Sequence, residues 1–286
     1  MTLSIVIVNW NTREYLLGAL ASIYAHPPPF PFEVVVVDNA SQDGSAEAVR
    51  ERYPRARLLA NADNAGYARG NNQGLAEARG RYVLLLNPDV VVPADALERA
   101  VRCADSAPDV GAVAVRLASP DGTVQPSVRG FPTPEALLWE VTGLSRLFPQ
   151  CRRLGAYRMA WFGYDREANV DQPMGTFLLI TREALSDVGP LDERFPIFFN
   201  EVDWCYRARR RGWRIRFTPQ ATVTHFGGGS TRQVSAEMAW ESRRGLLGFY
   251  RKHYASPVFA PVYWIAAASS WLHAWWTARG RTVRAA

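Results

Sequence analysis

The sequence predicts an α/β fold in which helices cover both faces of a mainly parallel sheet. In the first hundred residues, short and almost continuous apolar runs alternate with helical patterns, and strands that are buried on both faces have this character. The chain has 286 residues, 48% of them apolar. It is therefore long enough for one large domain with an appendage, and too apolar to be disordered.

Four strand-and-helix units open the chain. We predict strands at 3–8, 32–37, 57–60 and 82–86, and helices at 15–25, 45–53, 68–78 and 94–103. The second half is less regular, with predicted strands at 112–117, 175–180 and 221–225 and predicted helices at 181–188 and 201–211. Residues 118–174 are rich in proline, glycine, arginine and aromatic residues, which predicts an adaptable insertion beside the site.

Polar residues follow three of the predicted strands. These runs are Asn9-Trp10-Asn11, Asp38-Asn39-Ala40-Ser41 and Asn87-Pro88-Asp89. In sheets of this kind, ligands bind at the carboxyl ends of the strands. One polar strand end is an ordinary turn, but three at one edge of the sheet indicate a binding site.

The chain lacks the usual nucleotide-binding loops, since it has neither a P-loop nor a G-x-G-x-x-G after its first strand. A nucleotide diphosphate in this site would then be held through a metal ion, which prefers carboxylate oxygens. Asp89 is the first candidate ligand, although Asn-Pro-Asp alone is ordinary turn chemistry. His225, at a strand end before a glycine run, is the second, although a lone histidine is more often structural.

Two carboxylates, Glu201 and Asp203, follow Phe198 and Phe199 at a predicted helix start. Acidic residues stabilise the first turn of a helix, so both could serve only that purpose. Either could also be a general base that takes a proton from an attacking hydroxyl. Residues two apart lie about 200° apart around a helix, so only one of the pair is expected to face the site.

Taken together, these stretches resemble the family-two glycosyltransferases of the GT-A fold, and within them the rhamnosyltransferase-like branch. The resemblance runs from residue 3 to about residue 230, in family order. Each motif is weak alone, and the ordered series is specific. The matching stretches are 4–11, 37–45, 64–72, 86–89, 122–132 and 201–205, closed by His225.

The resemblance implies a donor-binding role for the polar strand ends. Asp38 corresponds to the carboxylate that reads the pyrimidine base, while Asn9, Asn64 and Arg69 line the nucleoside and phosphate pocket. The full implied donor-binding set is Asn9, Asn11, Asp38, Asn64, Arg69, Asn71, Asn87 and Asp89.

The resemblance also implies a metal site and a catalytic base. Asp89 matches the last aspartate of the D-x-D motif and His225 matches its histidine partner, so Mg²⁺ or Mn²⁺ is the expected cofactor. Asn87 replaces the first aspartate of that motif. The family's Glu-Asp pair reads Asn200-Glu201 here, so Glu201 is the expected base, and Asp203 is the alternative.

The implied activity is inverting transfer of a sugar from a nucleotide-diphosphate donor to a hydroxyl of a glycan or polyprenyl-linked acceptor, in cell-surface polysaccharide synthesis. dTDP-rhamnose is the leading donor, and a UDP-hexose is the alternative. A non-catalytic nucleotide-sugar-binding protein is the rival from another class, and a nucleotidyltransferase is disfavoured because no basic glycine-rich loop follows the first strand. The expected halves of the catalytic domain 1–230 are 1–110 for the donor and 111–230 for the acceptor.

The C-terminal segment 231–286 is predicted to be helical and amphipathic. Residues 256–277 contain no charged residue apart from His273, include Trp264, Trp271, Trp275 and Trp276, and have basic residues on both sides. Tryptophans throughout such a segment fit a helix at the membrane interface better than one in the hydrocarbon core. Interfacial attachment is therefore the leading expectation, a helix packed on the catalytic domain is the alternative, and a bilayer span comes third.

The overall charge of +6 comes almost entirely from arginine, since Lys252 is the only lysine. We give this charge little weight as a nucleic-acid signal, although it suits anionic phosphates or a membrane surface. The three cysteines form no metal or disulfide pattern. We expect no secretory signal, because no basic region precedes the first apolar run, which is predicted to be a strand. The expected location is cytoplasmic, at the inner face of the cell membrane.

A truncation tests the membrane prediction. Deleting residues 255–286 should release the protein from anionic liposomes and leave donor hydrolysis largely intact, because the interfacial tryptophans are removed. Liposome co-sedimentation measures the binding. If the full-length protein does not bind anionic liposomes, or if the truncated protein unfolds, the segment is a packing helix instead.

Overall fold

The computed structural model describes residues 1–227, 235–265, 267, 268 and 271. The first half contains strands β1 Leu3–Asn9, β2 Phe32–Asp38, β3 Arg57–Ala60, β4 Tyr82–Leu86, β5 Val90–Val91 and β6 Val110–Ala118, with helices α1 Arg13–Ala25, α2 Ser45–Arg52, α3 Tyr67–Glu77 and α4 Ala96–Ala104. The second half contains strands β7 Val128–Arg129, β8 Ala168–Val170, β9 Gln172–Pro173, β10 Phe177–Thr181 and β11 Arg214–His225, with helices α5 Pro134–Val141, α6 Leu144–Leu147, α7 Arg182–Val188, α8 Asn200–Arg210 and α9 Ser235–His253.

The main sheet has the strand order β3-β2-β1-β4-β10-β6-β11-β5, and β8 pairs with β11. Strands β3, β2, β1 and β4 are parallel to one another, β10 runs antiparallel to both of its neighbours, and β6 and β11 are again parallel. Strands β6 and β11 therefore point the same way as β1, β2, β3 and β4. This confirms a mainly parallel sheet.

Helices cover both faces of this sheet, as the sequence predicts. Side chains alternate along β1, so that Leu3, Ile5 and Ile7 join one apolar core and Val6 joins the other. The first core also takes residues of α1 and α4, and the second takes residues of α3, α7 and α8. The near-continuous apolar strands are thus explained by burial on both faces.

The segment between β6 and β10 is more ordered than its composition predicts. It contains α5, α6 and a small antiparallel sheet in which Val128 pairs with Pro173, and β8 adds a strand beside β11. Phe162 and Tyr164 pack edge-on against Phe217 of the main sheet. Aromatic side chains, rather than a regular hydrophobic period, hold this segment to the domain.

Two elements differ from the sequence-based expectation. The strand predicted at 221–225 is the end of a longer strand, β11, which begins at Arg214 and has an irregular register between Thr218 and Thr222. The short strand β5 follows Asp89 directly and pairs with the end of β11. This pairing is too short to leave a periodic signal in the sequence.

The C-terminal helix α9 packs on the domain through Phe249 and Tyr250, which are buried against Phe195 and Phe199. Within the described residues, no helix combines the length and hydrophobicity needed to cross a bilayer. The side chains of Trp264 and Trp271 are mostly exposed. The predictions on Trp275, Trp276 and the basic residues after them fall outside the described part of the chain, as does the predicted boundary at residue 230.

A pair of glycine substitutions tests the packing of α3 on β1. A methyl group on Gly74 would overlap Val6, whereas one on Gly18 of α1 would meet no atom within 4 Å. Gly74→Ala should therefore lower the free energy of unfolding by about 1–3 kcal/mol through overpacking. Gly18→Ala should raise it by up to about 1 kcal/mol, because alanine favours the helix. Urea denaturation measures both, and equal stabilisation by the two would refute this packing.

Candidate active site

The carboxyl ends of the parallel strands place the predicted polar residues along one edge of the sheet. Asn9 and Asp38 end β1 and β2 and are paired in register, Asn87 directly follows β4, and His225 ends β11. Because β10 runs the opposite way, its amino end lies at the same edge, where the Asn87 amide donates to the Thr176 carbonyl at 3.0 Å.

Asp38 and Asn9 form a buried polar corner at this edge. Asn9 Nδ2 donates to Asp38 Oδ2 at 2.8 Å and lies 3.0 Å from Ser41 Oγ. The Ser41 amide donates to Asp38 Oδ1 at 2.9 Å, and the Asn11 carbonyl oxygen Oδ1 accepts from the Gln42 amide at 2.7 Å. Asn11 has a φ of +50°, which asparagine tolerates better than most residues. The corner is thus fixed on both strands by side chains that the sequence predicted.

The start of α3 forms the next part of the site. Asn64 accepts a hydrogen bond from the Gly66 amide at 3.0 Å and so shapes the turn before the helix. Arg69 lies in the first turn of α3, with its side chain exposed. Asn71 is buried and donates to the Tyr67 carbonyl at 2.9 Å, so its amide group supports the helix from within.

Asp89 and His225 meet beside β5. Both side chains are almost fully buried, and His225 Nε2 lies 3.5 Å from Asp89 Oδ1. The short pairing of β5 with β11 holds them there, since the Phe226 amide donates to the Asp89 carbonyl at 3.0 Å. Two predicted metal ligands, far apart in sequence, are thus brought together.

Gln125 orients the His225 ring. Its Nε2 donates to the His225 carbonyl at 2.8 Å and lies 3.0 Å from Ser119 Oγ, which leaves its Oε1 facing His225 Nδ1 at 2.7 Å. Nδ1 must then carry the proton of a neutral ring, so the lone pair lies on Nε2, which faces Asp89. Such a partner on the far ring nitrogen is common to histidines that bind metals.

Glu201 lies in the first turn of α8, at the edge formed by the amino end of β10. Its Cβ and Cγ would lie 3.5 Å from a methyl group placed on Gly175. The preceding Phe199 has a φ of +69°, so a strained residue sets the direction in which the helix begins. Burial raises the pKa of Glu201 to about 7.

Tyr67 links the predicted base to the predicted metal ligands. Its hydroxyl lies 3.0 Å from Asn87 Oδ1 and 3.1 Å from the Gly175 carbonyl. Burial raises the pKa of Tyr67, and the negative charges of Glu201 and Asp89 add to the effect. The Tyr67 hydroxyl therefore lies between Asn87, two residues before Asp89, and Gly175, beside which Glu201 lies.

Asp203, the alternative base, faces elsewhere. Its side chain is fully buried and accepts hydrogen bonds from Arg207, Lys252 and His253 at 2.5–2.7 Å. These groups hold the pKa of Asp203 below its usual range, although burial acts in the other direction. As the helical geometry predicts, only one of the two carboxylates lies beside Gly175.

Three residues of the site were not identified from the sequence. Tyr67 and Gly175 are close in space to Glu201, although they are separated from it along the chain, and no local pattern links the three. Gln125 lies within the stretch 122–132 that the resemblance singled out, but its contact with His225 spans 100 residues. Long-range contacts of this kind leave no periodic signal.

The pH dependence of stability tests the burial of Glu201. An unfolded glutamate has a pKa of about 4.3, whereas the folded value is about 7. The folded state therefore holds more protons between these pH values, and its stability falls as the pH rises through this window. The free energy of unfolding of Glu201→Gln, taken relative to that of the wild type, should therefore be about 1–3 kcal/mol higher at pH 8 than at pH 5.

Glu183 provides the control, because it is the second residue of α7 as Glu201 is of α8, and it is exposed. Glu183→Gln should show no such gain in urea denaturation at the two pH values. A Glu201→Gln variant whose stability relative to the wild type does not change with pH would show that the pKa of Glu201 is not raised in the folded protein.

Comparison with known proteins supports the chemistry that this geometry suggests. The model of glycosyl transferase family 2 matches residues 4–168, more than half of the chain. The N-acetylglucosaminyl-diphospho-decaprenol L-rhamnosyltransferase of Mycobacterium tuberculosis is 28% identical over 92% of this chain and 88% of its own length. A low-salt glycan biosynthesis hexosyltransferase of Haloferax volcanii is 27% identical over 74% of this chain and 63% of its own length.

Solved structures show the same fold. The mannosyltransferase PcManGT from Pyrobaculum calidifontis, solved in complex with GDP-mannose and Mn²⁺, has a TM-score of 0.60 and 21% identity, over 95% of this chain and 69% of its own. Staphylococcus aureus TarS 1–349 in complex with UDP gives a TM-score of 0.53 at 18% identity, over 90% of this chain and 73% of its own. Because the family model matches more than half of the chain and the fold agrees with these solved structures, the chain belongs to glycosyl transferase family 2 and is a glycosyltransferase.

Proposed function

We propose that this enzyme transfers L-rhamnose from dTDP-rhamnose to a hydroxyl of a polyprenyl-diphosphate-linked glycan, with inversion at the anomeric carbon. The observation that carries the proposal is geometric: at one edge of the sheet, Glu201 lies beside Gly175, the Tyr67 hydroxyl contacts Gly175 and Asn87, and Asp89 faces His225. The relative from M. tuberculosis, which spans most of both chains, supports the choice of sugar and acceptor. A UDP-hexose is the alternative donor.

The donor binds in the half formed by residues 1–110. The buried carboxylate of Asp38 faces Asn9 and the Ser41 amide, and it reads the pyrimidine base through the hydrogen-bonding capacity that remains on its oxygens. Asn11, Asn64, Arg69, Asn71 and Asn87 belong to the same donor-binding region. The exposed guanidinium of Arg69 is suited to the diphosphate, because arginine binds phosphate oxygens in a bidentate manner.

Asp89 and His225 would hold a divalent cation, Mg²⁺ or Mn²⁺. Two ligand atoms that share one such ion, each about 2.1 Å away, lie about 3 Å from each other, close to the 3.5 Å between Asp89 Oδ1 and His225 Nε2. The described residues contain no group of three or more acidic, histidine or cysteine ligands, so donor phosphate oxygens and water would complete the coordination. When bound, the ion would offset the negative charge that develops on the departing diphosphate.

Glu201 is the general base. With a pKa of about 7, its carboxyl is close to the value at which a base is most effective at neutral pH. It takes the proton of the acceptor hydroxyl as the acceptor oxygen bonds to the anomeric carbon and the bond to the diphosphate breaks. The products are the glycoside, the nucleoside diphosphate and the protonated Glu201. One in-line displacement inverts the anomeric centre without a covalent sugar–enzyme intermediate.

Residues 111–230 contribute the acceptor side, and the segment from residue 231 brings the enzyme to the inner face of the cell membrane. The mostly exposed side chains of Trp264 and Trp271 support this last step, because indole rings favour the membrane interface. A lipid-linked acceptor would then be encountered at the surface in which its polyprenyl chain is anchored.

A donor screen tests the proposed function. dTDP-rhamnose and a set of UDP-hexoses should be incubated with N-acetylglucosaminyl-diphospho-polyprenol and either Mg²⁺, Mn²⁺ or excess chelator. We expect metal-dependent transfer from dTDP-rhamnose, identified by mass spectrometry of the product lipid. Transfer from a UDP-hexose, and none from dTDP-rhamnose, would show that the UDP-hexose is the donor. Tight nucleotide binding without transfer or donor hydrolysis would identify a non-catalytic binding protein.

Glu201→Gln tests the catalytic role in the same assay. Losing a positioned base should lower turnover by about 10²–10⁴-fold while donor affinity stays unchanged. In the wild type, kcat/KM should fall as the pH drops below about 7, where Glu201 becomes protonated. Glu183→Gln, which changes an exposed carboxylate at the equivalent position of α7, should retain full activity. If the turnover of Glu201→Gln is within a few-fold of that of the wild type, Glu201 is not the general base.

A further inference from the structure

The only lysine of the chain bridges two carboxylates. Lys252, near the end of α9, donates from Nζ to Asp203 Oδ1 at 2.5 Å and to Asp192 Oδ2 at 2.7 Å. The Asp203 side chain is fully buried, and the Asp192 and Lys252 side chains are 14% and 21% exposed. The bridge is therefore shielded from water, and charge pairs in such surroundings are stronger than exposed ones.

The choice of lysine at this position is unusual for this chain, in which arginine supplies the other 32 of the 33 lysine and arginine residues. An ammonium group is compact and can point separate N–H groups at two carboxylates, whereas a guanidinium is wider and planar. A compact ammonium group thus suits a position at which one cation contacts both Asp192 and Asp203.

Asp203 is the centre of this cluster and belongs to the helix of the proposed base. It also accepts from Arg207 Nε and faces His253 Nε2, each at 2.7 Å. Arg207 in turn donates to the carbonyls of Val188 and Pro190. The first two turns of α8 are thus held to both α9 and the loop that follows α7.

Asp192 lies in the loop before α8 and is held on its other side by Arg194. The same loop is tied to α3, because Asn72 exchanges two hydrogen bonds with the backbone of Leu191, at 2.9 and 3.0 Å. Farther along, the Pro196 carbonyl accepts from the Ala68 amide at 2.9 Å. Lys252 therefore fixes a loop that contacts the helix start beside Tyr67.

Helix α9 also packs closely against Phe199, the residue directly before α8. A methyl group on Gly245 would lie 2.7 Å from Phe199 Cδ2, so the glycine permits a close approach of α9 to this ring. Phe199 has a φ of +69° and precedes Asn200 and Glu201. Phe249 of α9 packs on the same ring, with centroids 6.0 Å apart. The strained turn before Glu201 is thus held in place from α9.

We propose that Asp203 and Lys252 are positioning residues: together they fix the first turn of α8 against α9, and so hold the Glu201 carboxylate at the acceptor hydroxyl. The inference rests on the proposed role of Glu201 as base. It assigns to α9 a part in catalysis that is separate from any contact of the following segment with membranes.

Kinetics of Lys252→Met test this inference, with Arg251→Met as the matched control. Arg251 is the neighbouring cation on α9, and its guanidinium bonds to Tyr263. Both variants exchange a cation for the same apolar residue. Lys252→Met should lower kcat by at least about tenfold with donor KM unchanged, because small displacements of a catalytic group are costly. Arg251→Met should retain the wild-type kcat.

The same substitution in the Glu201→Gln variant distinguishes a positioning role of Lys252 from a general effect on stability. If Lys252 acts through Glu201, adding Lys252→Met to Glu201→Gln should lower the residual turnover by less than about twofold. The same tenfold loss in both backgrounds would overturn the inference, as would an unchanged kcat in folded Lys252→Met. Should Lys252→Met fail to fold, Asp192→Asn removes one anchor of the bridge and is expected to show the same pattern.

Hydrogen exchange provides a readout that does not depend on sugar transfer. The backbone amides of residues 201–206 should exchange at least about tenfold faster in Lys252→Met than in the wild type and in Arg251→Met. Unchanged exchange would overturn the positioning role. Faster exchange in an enzyme whose wild type transfers no sugar would instead leave the bridge established and refute the proposed function.

Discussion

The site depends on the common direction of six strands. Because β1, β2, β3, β4, β6 and β11 point the same way, residues that end strands more than a hundred positions apart arrive at one edge of the sheet. Strand β10 runs against them and delivers its amino end, with Gly175, to the same edge. The donor pocket, the proposed cation ligands and the proposed base are all consequences of this arrangement.

Much of this edge could be predicted from the sequence, because strand ends are local features. Apolar runs that stop at Asn9, Asp38 and Asn87 mark the points where the sheet ends, and the structure places these residues there. Helical geometry predicts that only one of Glu201 and Asp203 faces the site, but it does not identify which one. Two partners of Asp203, Lys252 and His253, come from α9, some fifty residues farther along the chain, and the local pattern does not contain them.

The two carboxylates of α8 show how position sets chemistry. Glu201 is shielded from water by its surroundings, and this desolvation raises its pKa to about 7. Asp203, two residues on, is surrounded by Arg207, Lys252 and His253, which hold its pKa down and keep it charged. The first environment suits a group that must accept and release a proton. The second suits a group that stays charged and holds its neighbours in place, because removing one partner of a buried ion pair leaves an uncompensated charge.

The most direct test of this account is whether the edge binds a nucleoside diphosphate and a cation together. Calorimetric titration of dTDP or UDP, whichever binds more tightly, should show affinity at least about tenfold higher with Mn²⁺ than with chelator. Asp89→Asn should abolish this enhancement and leave the cation-free affinity unchanged. Equal affinity with and without Mn²⁺ in the wild type, or full enhancement in Asp89→Asn, would contradict the proposed site.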